Sequence, residues 1–159
     1  MAAERRRGSP FGPQRWFEDF ALGEVFAIPS RTVTEAHFLA FQAASGDNHP
    51  IHYDREYCKA HGHPDMLAHG YQVLIQTAAG AGIFPHLVQD SLVGFIEQSS
   101  RFLKPVYVGD TLSPELVVAE LKPQRTTGVL TLASRIFSQK DEIVMEGVQR
   151  YLLRKRPVV

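Results

Sequence analysis

The 159-residue chain has one cysteine, one tryptophan and no net charge, with seventeen Lys and Arg against seventeen Asp and Glu. A single thiol excludes an intramolecular disulfide and any zinc or iron–sulfur cage built from several cysteines. That thiol, Cys58, falls in a helix-like stretch between Tyr57 and Lys59 and reads as a packing residue rather than a nucleophile. Balanced charge argues against a nucleic-acid backbone as the main partner, because that partner needs a concentrated basic footprint. It speaks equally against adsorption to an anionic membrane surface. No stretch approaches the roughly 18–20 apolar residues that span a bilayer. The opening MAAERRRGSPFGPQ lacks the apolar segment of a secretory signal, so the expected location is cytoplasmic. Residues 1–13 read as a disordered tail and 14–159 as a single domain. A chain of this size buries roughly 70% of its unfolded surface, enough to fold without cross-links or a structural metal.

What is present divides into two halves. Trp16 to Phe20 reads as a turn leading into a short strand around Val25. Thr34 is a plausible N-cap for a helix whose apolar face is Ala36, Phe38, Leu39, Phe41, Ala43 and Ala44, with Gly46 as its left-handed stop. Asp47-Asn48-His49-Pro50-Ile51-His52 is turn chemistry, and a short helix follows Asp54. His69 to Phe84 reads as one longer helix whose Ala78, Ala79, Gly80, Ala81 and Gly82 permit close approach of another backbone. Five strand-like runs follow, at 92–97, 100–108, 112–121, 128–138 and 143–153. Helices first and then a run of strands predicts an α+β domain with a mostly antiparallel sheet.

Five of the seven histidines (His49, His52, His61, His63 and His69) lie within twenty-one residues, beside Asp47, Asp54 and Asp65. Such a cluster is compatible with three chemistries. A metal site would recruit His61 and His63 with His49 or His52, since zinc takes histidines with a carboxylate. Loop histidines with incidental hydrogen bonds are the plainest reading, and the natural one for His37, His61, His63 and His86. The third is an acid–base pair, Asp47 with His52. On a helix, residues five apart diverge by about 140°. Pro50 forbids an ordinary helix there, and a tight turn lets both side chains face one point. A carboxylate and an imidazole so placed can hold a water and move its protons both ways, with ordinary pKa values of about 3.9 and 6.5. An Asx-turn is the competing role for Asp47.

At these residues a resemblance enters. Ser45-Gly46-Asp47-x-x-Pro50-Ile51-His52-x-Asp54 resembles the hydratase signature of the MaoC-like, (R)-specific enoyl-CoA hydratases. Ala68-His69-Gly70 resembles that family's His-Gly at the start of its central helix. Phe102 to Leu112, with Pro105-Val106-x-x-Gly109-Asp110, is similar to its strand–Pro–Val–x–x–Gly–Asp segment. The match runs, with gaps, from about Trp16 to Leu153. It implies a hot dog fold, an antiparallel β-sheet wrapped around a long central α-helix, and a homodimer or higher homo-oligomer. It implies reversible hydration of a trans-2-enoyl-CoA to a (R)-3-hydroxyacyl-CoA, with no metal and no cofactor beyond the CoA of the substrate. Asp47 and His52 would hold the water, and the Gly70 N–H would donate to the thioester oxygen. His49, Pro50, His69 and Tyr71 would line the substrate site.

The chain departs from that pattern in three places. His49 stands where the family has asparagine, Tyr71 where a smaller or flexible side chain is common, and Thr77-Ala78 where a serine is frequent. For the anionic end of CoA the candidate cations are Arg101 and Lys104, with Lys122 and Arg125 behind them; Arg154-Lys155-Arg156 reads as a solvated strand end. Two other activities suit the same fold: thioester hydrolysis, and acyl-CoA binding without chemistry.

Overall fold

The computed structural model describes residues 11–158; most of the 1–13 tail assignment therefore lies outside the described residues. Within it, Phe11 stacks on His86 with ring centroids 4.3 Å apart. No helix among the described residues is long and apolar enough to cross a membrane.

A six-stranded antiparallel sheet forms the frame. Its strands are β1 (Val25–Ala27), β2 (Arg31–Thr32), β3 (Leu92–Phe102), β4 (Thr111–Pro123), β5 (Thr127–Ser138) and β6 (Ile143–Arg154). They run in the order β1-β4-β5-β6-β3, with β2 also on β4. Alternation sets which face is covered: in β5, Leu130, Leu132, Ser134 and Ile136 are buried. Opposite them in β6 lie Tyr151, Gln149, Gly147 and Met145. The covered face carries two clusters. One, rich in aromatics, gathers Phe17, Phe20, Phe26, Phe84, Leu116, Leu132 and Leu153. The other gathers Val33, Phe38, Met66, Val73, Leu112, Ile136 and Met145.

Helix α1 (Glu35–Ser45) starts at Thr34, whose N–H donates to His37 Nδ1, and stops at Gly46 with φ +73°. Helix α2 (Arg55–Ala60) is capped by Asp54, which accepts from the N–H groups of Glu56 and Tyr57. Both match the sequence reading, and so do β4, β5 and β6.

Two expectations need correction. The single long helix over His69–Phe84 is instead α3 (Gly70–Leu74), 3-10 turns at Ile75–Thr77 and Ala79–Ala81, and α4 (Phe84–Leu87). The break has a cause. Gln149 Nε2 donates to the carbonyl and hydroxyl of Thr77, at 3.0 and 2.7 Å. A continuing α-helix would give that carbonyl to Ala81, which bonds Ala78 instead. Further on, Gly82 is extended, and a Cβ on it would sit 3.2 Å from the Ala27 carbonyl oxygen. The close approach expected of the small residues is thus made at Gly82 and not at Gly80, around which such a Cβ would meet nothing.

The second correction concerns the runs at 92–97 and 100–108. The strand is continuous through Phe102 and the chain then leaves the sheet. Residues 106–108 turn back to hold the segment ahead of α3: Ala68 N–H donates to the Val106 carbonyl and Val108 N–H to that of Met66. Leu67 N–H in turn donates to the Ile51 carbonyl. These bonds fasten the Asp47–His52 loop to the first turn of α3.

Candidate active site

The site is assembled from three segments. The first begins where Gly46 reverses α1. Asp47 follows on an exposed loop, and its Oδ1 accepts from the His49 N–H at 3.2 Å. That is the Asx-turn, and it uses only one carboxylate oxygen. Pro50 opens a 3-10 turn over Pro50–His52, and His49 Nδ1 accepts from the Ile51 N–H at 3.3 Å. The turn brings His52 back toward Asp47, with Nε2 4.0 Å from Asp47 Oδ2. This distance is too long for a direct hydrogen bond. It suits a single water oxygen sitting about 2.8 Å from each.

The protonation pattern of His52 follows from its neighbours. Nδ1 lies 2.6 Å from the Leu67 carbonyl, which can only accept, so Nδ1 carries the hydrogen. Nε2 is left with its lone pair beside Asp47. The imidazole pKa is lowered from 6.5, first by burial, against which the Leu67 carbonyl and the Asp47 charge pull upward; His69 and His49 press it down further. Neutral His52 is therefore the form present at neutral pH.

The second segment supplies His69, only 3% exposed, at the start of α3. Its ring stacks on His52 with centroids 3.6 Å apart, inclined by 22°. Its Nε2 lies 2.9 Å from the Tyr53 hydroxyl and 3.8 Å from Asp47 Oδ2, and its Nδ1 3.2 Å from Gln72 Oε1. Gly70, next in the chain, occupies the first position of the helix, where a backbone N–H has no partner within the helix. A Cβ there would sit 3.2 Å from the Phe102 ring, so glycine is also what allows β3 to pack so near.

The third segment is the end of β3. Gln98, Ser99, Ser100 and Phe102 close a cleft of about 550 Å3 with Asp47, His52, His69, Gly70, Tyr71 and Leu74. A second, apolar cavity of about 400 Å3 adjoins it, sharing Leu74 and Gln98 and lined beyond them by Ile75, Phe84, Phe95 and Tyr151.

Asp47, His52, His69, Gly70 and Tyr71 are thus brought together. Tyr71 is at the rim, 75% exposed. His49 holds the turn and packs edge-on to Tyr57 rather than lining the cleft. Pro50 shapes the backbone. Arg101 pairs with Glu146 outside the cleft lining. Lys104 pairs with Glu142 and edges a shallow hollow that it shares with Gly70 and Phe102. His61 stacks on Tyr57, and His63 lies 3.2 Å from the Tyr107 hydroxyl. Cys58 is buried, its thiol donating to the Ile51 carbonyl.

His61 and His63 do not converge with His49 or His52 on a metal position. Among the described residues the group with ligand atoms close enough is Asp47, His52 and His69, all within 4.8 Å. Imidazole lone pairs lie in the ring plane, and two face-to-face rings 3.6 Å apart cannot both aim theirs at one ion without unstacking. Sequence reasoning missed the His52–His69 stack, Tyr53 and the β3 wall. No local motif marks the wall, and β3 has no regular alternation of buried and exposed positions that could have pointed to it.

Comparisons with known proteins agree with this architecture. The MaoC like domain matches residues 19–136. Mesaconyl-CoA hydratase of Cereibacter sphaeroides is 31% identical over 89% of the chain, which spans only 42% of that protein. The (R)-specific enoyl-CoA hydratase of Rhodospirillum rubrum is 26% identical over 82% of the chain and 90% of its own length. The structure of a monoamine oxidase regulatory protein from Archaeoglobus fulgius superposes with a TM-score of 0.84 at 30% identity, covering 91% of this chain and 97% of that one. A Mycobacterium tuberculosis protein with a double hot dog fold superposes at 0.77 and 26% identity, covering 92% of this chain and 46% of the other.

Proposed function

The chain belongs to the MaoC-like domain family and has the hot dog fold; from that premise we propose that it is a hydro-lyase that adds water reversibly across the double bond of a trans-2-enoyl-CoA, giving a (R)-3-hydroxyacyl-CoA. The observation that carries this reading is the 4.0 Å separation of Asp47 Oδ2 from an unprotonated His52 Nε2, both opening on one cleft. A water held between them gives a proton to His52 Nε2 as its oxygen bonds to C3. The electron pair of the double bond moves toward the thioester oxygen. The Gly70 N–H donates to that oxygen as charge builds on it, and the pair returns a proton to C2. Because α3 is only five residues long, the donor here is this one N–H and not the dipole of a long helix. The Asp47 carboxylate stabilises the imidazolium formed midway.

The acyl tail enters the apolar cavity past Leu74 and Gln98. CoA leaves along the hollow beside Gly70, where Lys104 is the nearest candidate for its phosphates. Edge strand β3 exposes Val93, Phe95 and Ile96 and, among the described residues, has no strand paired on its outer side. A long apolar edge of this kind invites pairing with another chain. A second copy of this domain is the proposed occupant, supported by relatives that carry about twice its length, one of them with a double hot dog fold.

The test is the absorbance of a conjugated enoyl thioester, followed with short and longer chains. Loss of absorbance without release of free thiol supports hydration. Thiol released from a saturated acyl-CoA would replace it with thioester hydrolysis. Saturable acyl-CoA binding with no turnover of any enoyl substrate would replace it with a binding subunit.

A further inference from the structure

The stack of two imidazoles poses a chemical problem, because two similar rings compete for one carboxylate. Asp47 Oδ2 is 4.0 Å from His52 Nε2 and 3.8 Å from His69 Nε2, so distance alone does not choose a base. Hydrogen bonding does. The Tyr53 hydroxyl donates its only hydrogen to the Asp47 backbone carbonyl at 3.0 Å. Its oxygen, 2.9 Å from His69 Nε2, can then only accept, so His69 Nε2 carries a hydrogen; the buried Gln72 amide agrees once turned end for end, its otherwise unpartnered Nε2 then donating to His69 Nδ1. His52 has the opposite arrangement, with its hydrogen on Nδ1 toward the Leu67 carbonyl.

We propose that Tyr53 and His69 are positioning residues: the chain His69 Nε2–H to Tyr53 hydroxyl to Asp47 carbonyl tethers the exposed Asp47 loop, and it takes His69 out of competition so that His52 alone presents a bare nitrogen to the water. The tether rests on the acid–base reading of Asp47 and His52 given above. Its geometry explains why Asp47, with a side chain 51% exposed and placed just beyond the end of α1, keeps its second oxygen aimed inward. The anchor is firm, since His69 is buried, starts a helix and is clamped between the His52 and Phe41 rings, the latter with its centroid 4.7 Å away. Neither Tyr53 nor His69 exchanges a proton with substrate in this scheme. Their contribution is the placement of two groups that do.

Tyr53→Phe removes the bridge and keeps the ring. His69→Phe keeps a ring against His52 and removes the N–H. Each is expected to lower kcat about 10–100-fold, the loss that small misplacements of reacting groups produce, while KM stays within about twofold. The double variant is expected to be no worse than either single one, because both break the same chain. His69→Gln, whose amide nitrogen reaches toward the position of Nε2, should recover part of the loss. Full kcat in Tyr53→Phe, or losses that multiply in the double variant and follow thermal stability, would overturn the tether. A second measurement needs no turnover. In protein labelled with 15N-histidine, the His69 Nε2 signal is expected to be that of a protonated nitrogen and to change in Tyr53→Phe. A bare His69 Nε2 at neutral pH would overturn the proposal even in a fully active enzyme. Absence of hydration in the wild type would instead sink the assigned reaction, leaving the nitrogen spectrum to decide the tether.

Discussion

Two cavities flank α3 and share Leu74 and Gln98, yet they are built on opposite principles. The apolar one is walled by rings and small side chains, Phe84, Phe95, Tyr151, Ala78 and Ala79, and the Tyr151 hydroxyl is satisfied by donating to Gln149. Burial alone pushes the pKa of that hydroxyl up to about 12, so it stays uncharged at any physiological pH. The polar cleft crowds a carboxylate and two imidazoles within 4.0 Å and gives each ring nitrogen a polar neighbour. The contrast teaches that one α-turn can serve both binding and chemistry. In the proposed reaction, shape on one side selects a chain by excluded volume, and hydrogen bonds on the other decide which nitrogen is bare.

The largest effects are expected on the polar side. Asp47→Asn and His52→Gln should each lower kcat by about 10²–10⁴, the usual contribution of a general acid–base group. The thermal midpoint should hardly move in Asp47→Asn, where the side chain is exposed, and should fall by a few degrees in His52→Gln, which gives up the Nδ1 bond to the Leu67 carbonyl and the stack on His69. Near-normal turnover in both would break the division of labour between the two cavities. Gly70→Ala is intermediate. Its Cβ must displace the Phe102 ring from 3.2 Å, costing about 1 kcal/mol of stability and about tenfold in kcat. On the apolar side the expected change is in specificity. Ala78→Leu fills the cavity, so kcat/KM for a long enoyl chain should fall about tenfold or more while that for crotonyl-CoA stays the same. Equal loss for both chains would show that the tail lies elsewhere.

Much of this contrast could be read in advance, and the limits of the reading are physical. Thr34, Gly46, Pro50 and Asp54 act within a few residues of themselves, so their caps and turns, and with them the convergence of Asp47 and His52, follow from local rules. The long strands β4 to β6 announced themselves by composition and punctuation. The break in the central helix did not, because it is made by Gln149, seventy-two residues from Thr77, and by the Ala27 carbonyl against Gly82. For the same reason the sequence placed His69 at the cleft, where it is, but not against His52. Its stacking on His52 depends on Leu67 and Ala68 being held by Ile51 and Val106, contacts no sequence spacing encodes. Arg101 and Lys104 read as candidates for the CoA phosphates, and the fold puts a carboxylate beside each, Glu146 and Glu142, which spacing alone does not reveal.

The finest test concerns the sign of a titration. Burial holds His52 below its ordinary 6.5, and the Asp47 carboxylate partly opposes that shift. In the window between the folded value and 6.5 the unfolded chain binds more protons, so stability declines as pH falls through that window and levels off below it. The acid limb of kcat/KM should likewise bend below pH 6.5, because the water needs an unprotonated Nε2. Asp47→Asn removes the one carboxylate that pulls the value up, while His69 and His49 continue to push it down. The His52 ring in that variant should therefore titrate at lower pH than in the wild type, followed by NMR whether or not the variant turns over. An upward shift would mean that Asp47 does not face the bare nitrogen, and the polar cleft would then lose its distinction from the apolar cavity beside it.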